Sequence, residues 1–263
     1  FLLVREGKPE VRRYWNLHFA PKFTDSENEL VDQLDDLLNK TVQVHLLSDV
    51  EVGSCLSGGI DSSTIAAIAA KYQDTPLRTF SIGVKDQSFN ELPYARMAAS
   101  HCGFRAHEKV VEADLVRMMP SMIRAMDEPS DPFGVGVHLV SGLASEHVKV
   151  VLSGDGGDES FAGYDRYAGQ RIADYYCLMP ESFRRQVMSR LIKLIPETFG
   201  YKTYAQKFKW LNEMSFYSAG NRYAHSMSFL RFTEDAQNSL FTEQGKRQQT
   251  GARSPEKILE YFD

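Results

Sequence analysis

The sequence predicts an α/β protein, a parallel doubly wound sheet followed by a helical C-terminal region. Three observations carry that expectation. Between Val50 and Ser153, short runs of strand length alternate with segments of helical length. At this spacing the crossovers are right-handed and the sheet is parallel, with both faces covered. After Gly163 the strand-like runs stop and helical segments alone remain. The bulk composition agrees with a folded chain: of 263 residues, 43% are apolar and 25% charged, with a net charge of −5, which excludes disorder and a fibrous repeat. The length allows one large domain or two modest ones.

Each element has its own reason. Residues 1–23 read as a short hairpin, FLLVR and VRRYWNL joined through Glu6-Gly7-Lys8-Pro9, too short to stand alone. Ser26 and Glu29, at capping-box spacing, open a helix whose apolar stripe is Leu30, Val31, Leu34, Leu37, Leu38 and Val42. EVGSCL (51–56) is a strand ended by Ser57-Gly58-Gly59, and residues 61–72 form an Ala-rich helix. LRTFSIGV (77–84) is the second strand, ELPYARMAASHCG (91–103) a helix, RAHEKVV (105–111) the third strand, and Glu112 to Met126 a helix. A proline-rich loop over 127–134 precedes a helix at about 135–147 and a fourth strand, VKVVLS (148–153). Helices are then predicted over 164–179, 181–195, 203–217 and 219–232, divided by Pro180, Pro196 and Gly200; TEQGKRQQTGARSP in the tail reads as a loop. The expected divisions are therefore 1–23 as a hairpin linker, 24–163 as the α/β domain and 164–263 as its helical continuation.

Several function classes drop out. Cys55, Cys102 and Cys177 are far apart with no Cys-x-x-Cys, which argues against a disulfide framework or zinc site and for a reducing, cytoplasmic setting. The seven histidines show no ligand spacing, so no transition-metal centre is expected. No apolar run approaches the ~20 residues of a membrane span, and the N-terminus lacks the shape of a signal peptide. The chain opens on Phe1 in mid-pattern and is read as an excerpt of a longer protein. Charge is uneven: residues 164–232 hold 11 Lys and Arg against 5 Asp and Glu, while the rest is acidic.

Ser57-Gly58-Gly59-Ile60-Asp61-Ser62-Ser63 stands where a strand ends and a helix begins. The glycines let an anion approach backbone N–H groups, the helix adds the positive end of its dipole, and Ser57, Ser62 and Ser63 add hydroxyl donors. The expectation is a phosphate cradle, though not a Walker A loop, because no Gly-x-x-x-x-Gly-Lys-Ser/Thr occurs. Asp61 inside such a cradle is repulsive unless a cation intervenes, and Mg²⁺, which takes one or two carboxylates with phosphate oxygens, meets that need. The plainer alternative is an ordinary strand-to-helix turn with Asp61 as the helix cap.

A second constellation follows the fourth strand, where Ser153, Gly154, Asp155, Gly156, Gly157, Asp158 and Glu159 share one turn. Three carboxylates so close call for a cation. If the two strands are neighbours, both loops face one crevice at the carboxyl ends of the strands, and Asp61 and Asp158 would hold Mg²⁺ on a pyrophosphate from opposite sides. An acidic surface turn is the alternative.

SGGIDSS together with SGDGGDESFAGYDRY resembles the synthetase domain of the glutamine-hydrolysing asparagine synthetase family, within the N-type ATP pyrophosphatases of the adenine-nucleotide α-hydrolase (PP-loop) type. The first motif is shared with GMP synthetase-like and NAD synthetase-like enzymes; the second is far more specific. The resemblance runs from residue 1, which looks like the end of a preceding glutaminase domain, to about residue 170. It implies that Ser57, Gly58, Gly59, Asp61 and Ser62 bind the ATP pyrophosphate, that Leu56 with Cys55 and Ile82 meet the adenosine, that Ser153 and Gly154 touch the nucleotide, and that Asp61 and Asp158 bind Mg²⁺. Asp155 stands where the family carries an acid tied to the acyl-adenylate step, Glu in the best-known members and Tyr in β-lactam synthetases; an acid favours an amide-forming enzyme. The implied reaction is ATP-dependent adenylation of a substrate carboxylate, aspartate by default, with release of pyrophosphate. Ammonia from a glutaminase domain of the parent chain then attacks, giving the amide and AMP. Neither the glutaminase N-terminal cysteine nor the family's later lysine motif occurs in these residues, so the excerpt alone is expected to bind ATP–Mg²⁺ and make little or no amide.

Aromatics interleave with the basic residues after Tyr164, among them Tyr167, Tyr175, Tyr176, Trp210 and Tyr223, which admits an RNA-modifying adenylating enzyme; at helical spacing such rings belong more often to a core. A non-enzymatic nucleotide-binding module is the other alternative. Asp127, Glu128 and Asp131 are candidates for the substrate side.

Overall fold

The computed structural model describes residues 1–85, 90–112, 114–127, 134–195, 204–227, 239–248 and 258–262. They form two compact units, Phe1–Asp155 and Gly156–Asp263. Two hydrogen bonds make the acidic turn part of the second unit: the Tyr164 hydroxyl donates to Glu159 at 2.6 Å, and the Gly163 N–H donates to the Asp158 carbonyl at 3.0 Å.

The first unit opens with the hairpin, β1 (Leu2–Arg5) antiparallel to β2 (Lys8–Val11). Helix α1 (Glu27–His45) starts at the predicted capping box: Ser26 Oγ accepts from the Glu29 N–H at 3.4 Å, and Glu29 Oε2 accepts from the Ser26 N–H at 2.8 Å. Its apolar stripe is only partly covered. Val42 is buried, while Val31 and Leu37 remain 57% and 60% exposed.

The sheet consists of β3 (Val52–Cys55), β4 (Arg78–Val84), β5 (Arg105–Val111) and β6 (Val150–Leu152), all parallel, in the order β5-β4-β3-β6. The chain builds outward from β3 through β4 to β5, then returns to the other side of β3. Strand order therefore reverses between β3 and β6, with Val52 beside Val150 and Ser54 beside Leu152. Ligands in such sheets sit at this reversal, beyond the carboxyl ends of the strands.

Two apolar clusters pin the sheet. One joins Val42, Leu56, Ala66, Ile68, Ala69, Leu77, Ala95 and Ala99, drawing on α1, α2 (Ile60–Lys71) and α3 (Leu92–Cys102). The other joins Phe80, Leu143, Ala144 and Val148, with Ile82 packed against it, under the helix Gly134–Ser145. The helix before that one, α4 (Leu115–Met126), begins later than predicted because Asp114 caps it, accepting from the Arg117 N–H at 3.2 Å; Gly134–Ser145 is α5.

The second unit holds α6 (Gly157–Phe161) and α7 (Asp165–Tyr176). Next, α8 (Glu181–Phe183) runs through a π-wound stretch, Arg184–Met188, into α9 (Ser189–Lys193). Then come α10 (Tyr204–Met214), α11 (Ala219–Ser226) and α12 (Glu243–Gln248). The last corrects the loop expected over TEQGKRQQTGARSP: residues 243–248 form a helix, and Thr242 Oγ1 accepts from the Gly245 N–H at 3.2 Å. Two cations of this basic region are internal ties rather than a solvated face. Arg184 is buried and donates to the Met179 carbonyl at 3.0 Å; Arg222 is buried, donates to Gln170 at 2.6 Å and pairs with Asp174. Among the described residues, no helix is long and apolar enough to cross a membrane.

Candidate nucleotide site

The adjacency of β3 and β6 brings two predicted loops together. Ser57 to Gly59 leave β3, and Ser153 to Asp155 leave β6. Their contact is intimate: a Cβ built on Gly154 would lie 2.7 Å from the Ser62 amide nitrogen and 2.9 Å from the Asp61 carbonyl carbon. Real Cβ atoms do not approach backbone so closely. Gly154 thus places bare backbone against the first turn of α2, where helical N–H groups have no intrahelical acceptor.

Within the first loop the hydroxyls hold one another in place. Ser57 Oγ and Ser62 Oγ lie 2.9 Å apart, the Ser57 N–H donates to Ser62 Oγ at 3.2 Å, and the Gly59 N–H donates to Ser57 Oγ at 3.2 Å. Gly58 has φ +87, a left-handed conformation that favours glycine, and packs against the backbone of Tyr94 and Ala95 at the start of α3. Ser63 Oγ is buried and has no hydrogen-bond partner among the described residues. The cap of α2 is Gly59, and Asp61 lies inside the first turn, so Asp61 is not the helix cap that the plainer alternative required.

Leu56 is buried, and much of its backbone is committed: its N–H donates to the Phe80 carbonyl at 2.9 Å, and its carbonyl accepts from Ser81 Oγ at 2.6 Å. A ligand can use the remaining lone pair of that carbonyl. Ile82 is half-buried on β4. In the second loop, the Ser153 hydroxyl donates to Asp155 Oδ2 at 3.1 Å. Burial, with the Asp155 carboxylate adding to it, pushes the Cys55 thiol up to about 11.

Asp158 and Glu159 lie on α6, in the second unit. The Tyr164 hydroxyl holds the Glu159 carboxyl below its ordinary range, and the same bond raises the Tyr164 phenol. Of the candidates for the substrate side, Asp127 ends α4 in a left-handed conformation, while Glu128 and Asp131 lie outside the described residues. Ser81 and Tyr164 were not among the residues expected from sequence. Ser81 is hidden inside an apolar strand pattern, whereas Tyr164 has a signal in its spacing from Glu159.

The donors present suit a pyrophosphate: bare glycine backbone, a helix N-terminus, clustered serines and one unbonded hydroxyl. Among the described residues no three His, Cys, Asp or Glu side chains gather to hold a metal by themselves. One or two carboxylates completed by phosphate oxygens is the donor set of Mg²⁺.

Comparison with known proteins bears on the same residues. The family described as asparagine synthase matches residues 33–258. Asparagine synthetase [glutamine-hydrolyzing] 1 of Bacillus subtilis is 33% identical over 199 residues, 75% of this chain and 31% of the relative. Asparagine synthetase B [glutamine-hydrolyzing] of Escherichia coli is 35% identical over 188 residues, 62% of this chain and 32% of the relative. A Mycobacterium tuberculosis protein, provisionally named a glutamine-hydrolyzing asparagine synthetase, is 36% identical over 227 residues, 85% of this chain and 34% of the relative. The chain spans about a third of the length of these curated relatives.

Proposed function

Because the chain belongs to the asparagine synthase family, we propose that it is the nucleotide-binding part of an ATP-dependent amide ligase of the asparagine synthetase (glutamine-hydrolysing) kind. The substrate carboxylate, aspartate by default, attacks the α-phosphate of ATP and pyrophosphate leaves. Ammonia, supplied by a glutaminase domain of the parent protein, then attacks the acyl-adenylate and releases the amide and AMP. The observation that carries this reading is the seating of Gly154 against Ser62, which joins both glycine-bearing loops at the reversal of strand order.

In this reading Ser57, Gly58, Gly59, Asp61 and Ser62 cradle the pyrophosphate through N–H and O–H donors. Ser153 and Gly154 close the nucleotide from β6, and Leu56 and Ile82 meet the adenosine. Asp155 is the acid beside the acyl-adenylate, where a carboxylate can orient the amine or take its proton. Asp61 and Asp158 would hold Mg²⁺, which when bound offsets the charge developing on the departing pyrophosphate. A cytoplasmic setting is part of the same reading, since three sparse, widely spaced cysteines suit a reducing compartment.

The test is ATP binding to the full-length protein with and without Mg²⁺, joined to aspartate-dependent exchange of labelled pyrophosphate into ATP. Wild type should bind and exchange; Asp61→Asn should lose the Mg²⁺ dependence. Binding without any exchange under any acyl substrate would instead favour a non-enzymatic nucleotide module.

A further inference from the structure

The three carboxylates of the second motif are not equivalent. Asp155 accepts from Ser153 at 3.1 Å, and Glu159 accepts from the Tyr164 hydroxyl at 2.6 Å. The Arg166 guanidinium lies over the Tyr164 ring, 3.9 Å from its centroid, and braces that ring. Arg166 is itself fixed by a contact from its Nη1 to the Met227 sulfur at 2.9 Å. Asp158, one residue before Glu159, is different. Its carbonyl accepts from the Gly163 N–H at 3.0 Å, but its carboxylate accepts no hydrogen bond among the described residues and lies against the α-carbon of Gly163. A Cβ on Gly163 would collide with that carboxylate and would lie 3.2 Å from the Asp158 α-carbon.

We infer that Tyr164 and Arg166 are positioning residues for Asp158: they hold Glu159 aside, and Gly163 leaves the space the Asp158 carboxylate occupies. The inference rests on the ligase reading, in which Asp158 is a ligand of Mg²⁺. Its physical content is competition. Glu159 is one methylene longer than Asp158 and adjacent on a short helix. Once released from Tyr164, it repels Asp158 or takes the cation in a different geometry. The Gly-Tyr-x-Arg that follows the acidic turn is thus the part of the motif that selects which carboxylate serves.

The test is Mn²⁺ uptake, followed by loss of the free-ion electron paramagnetic resonance signal, by the full-length protein with α,β-methylene-ATP; thermal melting is recorded alongside. Tyr164→Phe keeps the ring under Arg166 and deletes only the hydroxyl. It should weaken Mn²⁺ binding about tenfold to a hundredfold, the range of one hydrogen bond to a charged group. Adding Glu159→Gln to Tyr164→Phe should restore binding to within about twofold of wild type, a rescue that a merely structural role would not produce. Gly163→Ala should weaken binding by a similar factor without rescue by Glu159→Gln. If Tyr164→Phe does not fold, Arg166→Gln, which unseats the ring but keeps the hydroxyl, should give a loss that Glu159→Gln again repairs. Wild-type Mn²⁺ affinity in a folded Tyr164→Phe, or a loss that Glu159→Gln fails to repair, overturns the positioning role alone. A wild type that takes up no Mn²⁺ with the nucleotide overturns the ligase reading itself.

Discussion

Gly154 sits so close to Ser62 that a methyl group on its α-carbon would come within 2.7 Å of the Ser62 amide nitrogen. Two segments far apart in sequence share one corner because β6 lies beside β3. Neither side of the contact is a flexible side chain that can swing away. Gly154→Ala should therefore push the β6 loop off the first turn of α2. ATP affinity should fall about tenfold for each phosphate hydrogen bond that the displaced backbone loses, while overpacking removes about 1–3 kcal/mol of stability. Calorimetric titration with ATP and a urea melt measure the two effects separately.

Gly58 combines a left-handed backbone with a collision. Its φ is +87, and an added methyl group would meet the backbone of Tyr94 and Ala95. Gly58→Ala should cost about 2–4 kcal/mol, the strain and the clash together. The urea midpoint should drop without a change in slope.

His107 supplies a pH dependence. Burial, the neighbouring His147, Arg78 and Arg105 hold its imidazole below the ordinary histidine value, with Glu51 opposing them weakly. Its ring lies 4.0 Å from that of His147 and stacks on Phe80 at 5.3 Å. The fold thus prefers neutral His107. Its contribution is fully present above the unfolded value of about 6.5 and is lost as pH falls through the lower folded value. Melting temperatures from pH 7.5 to 5 should fall, and His107→Phe should flatten that fall. Parallel curves for the two proteins would assign the pH dependence elsewhere.

Cys55 should be a poor nucleophile. With its pKa near about 11, it carries on the order of a hundredfold less thiolate at pH 8 than a cysteine near 8.5. Iodoacetamide should label exposed Cys102 well before Cys55. Asp155→Asn removes the lesser cause of the shift and should speed labelling of Cys55, as peptide mass spectrometry would show.

Much of this was legible in the residues. LRTFSIGV and RAHEKVV are strands, the capping pair Ser26 and Glu29 starts α1, and Ser57 to Ser63 is a strand-to-helix corner. What pattern could not supply is which strands are neighbours. The meeting of Gly154 with Ser62 depends on β6 returning past β4 to β3, a fact of topology with no local signature. Nor does periodicity say how much of an apolar face is covered: Val42 of the α1 stripe is buried, but Val31 and Leu37 are not. The helix at Glu243–Gln248 was missed because Gly245 reads as a breaker, although its neighbours favour helix and its N–H is taken up by Thr242. The difference in hydrogen bonding between Asp158 and Glu159 needed side-chain partners, since the two residues are adjacent and equally acidic in the sequence.

The strand that brings in Gly154 is short. β6 has three residues, pairs with β3 alone among the described strands, and reaches it across a separation of 98 residues, as measured at the Ser54–Leu152 bond. Long-range parallel pairing is slow to form, because the loop must close before the ladder rewards it. If the corner holds a nucleotide as proposed, that competence is expected to be acquired late in folding and surrendered early. A modest rise in temperature could fray this edge and silence the corner while β4 and β5 stay protected from hydrogen exchange.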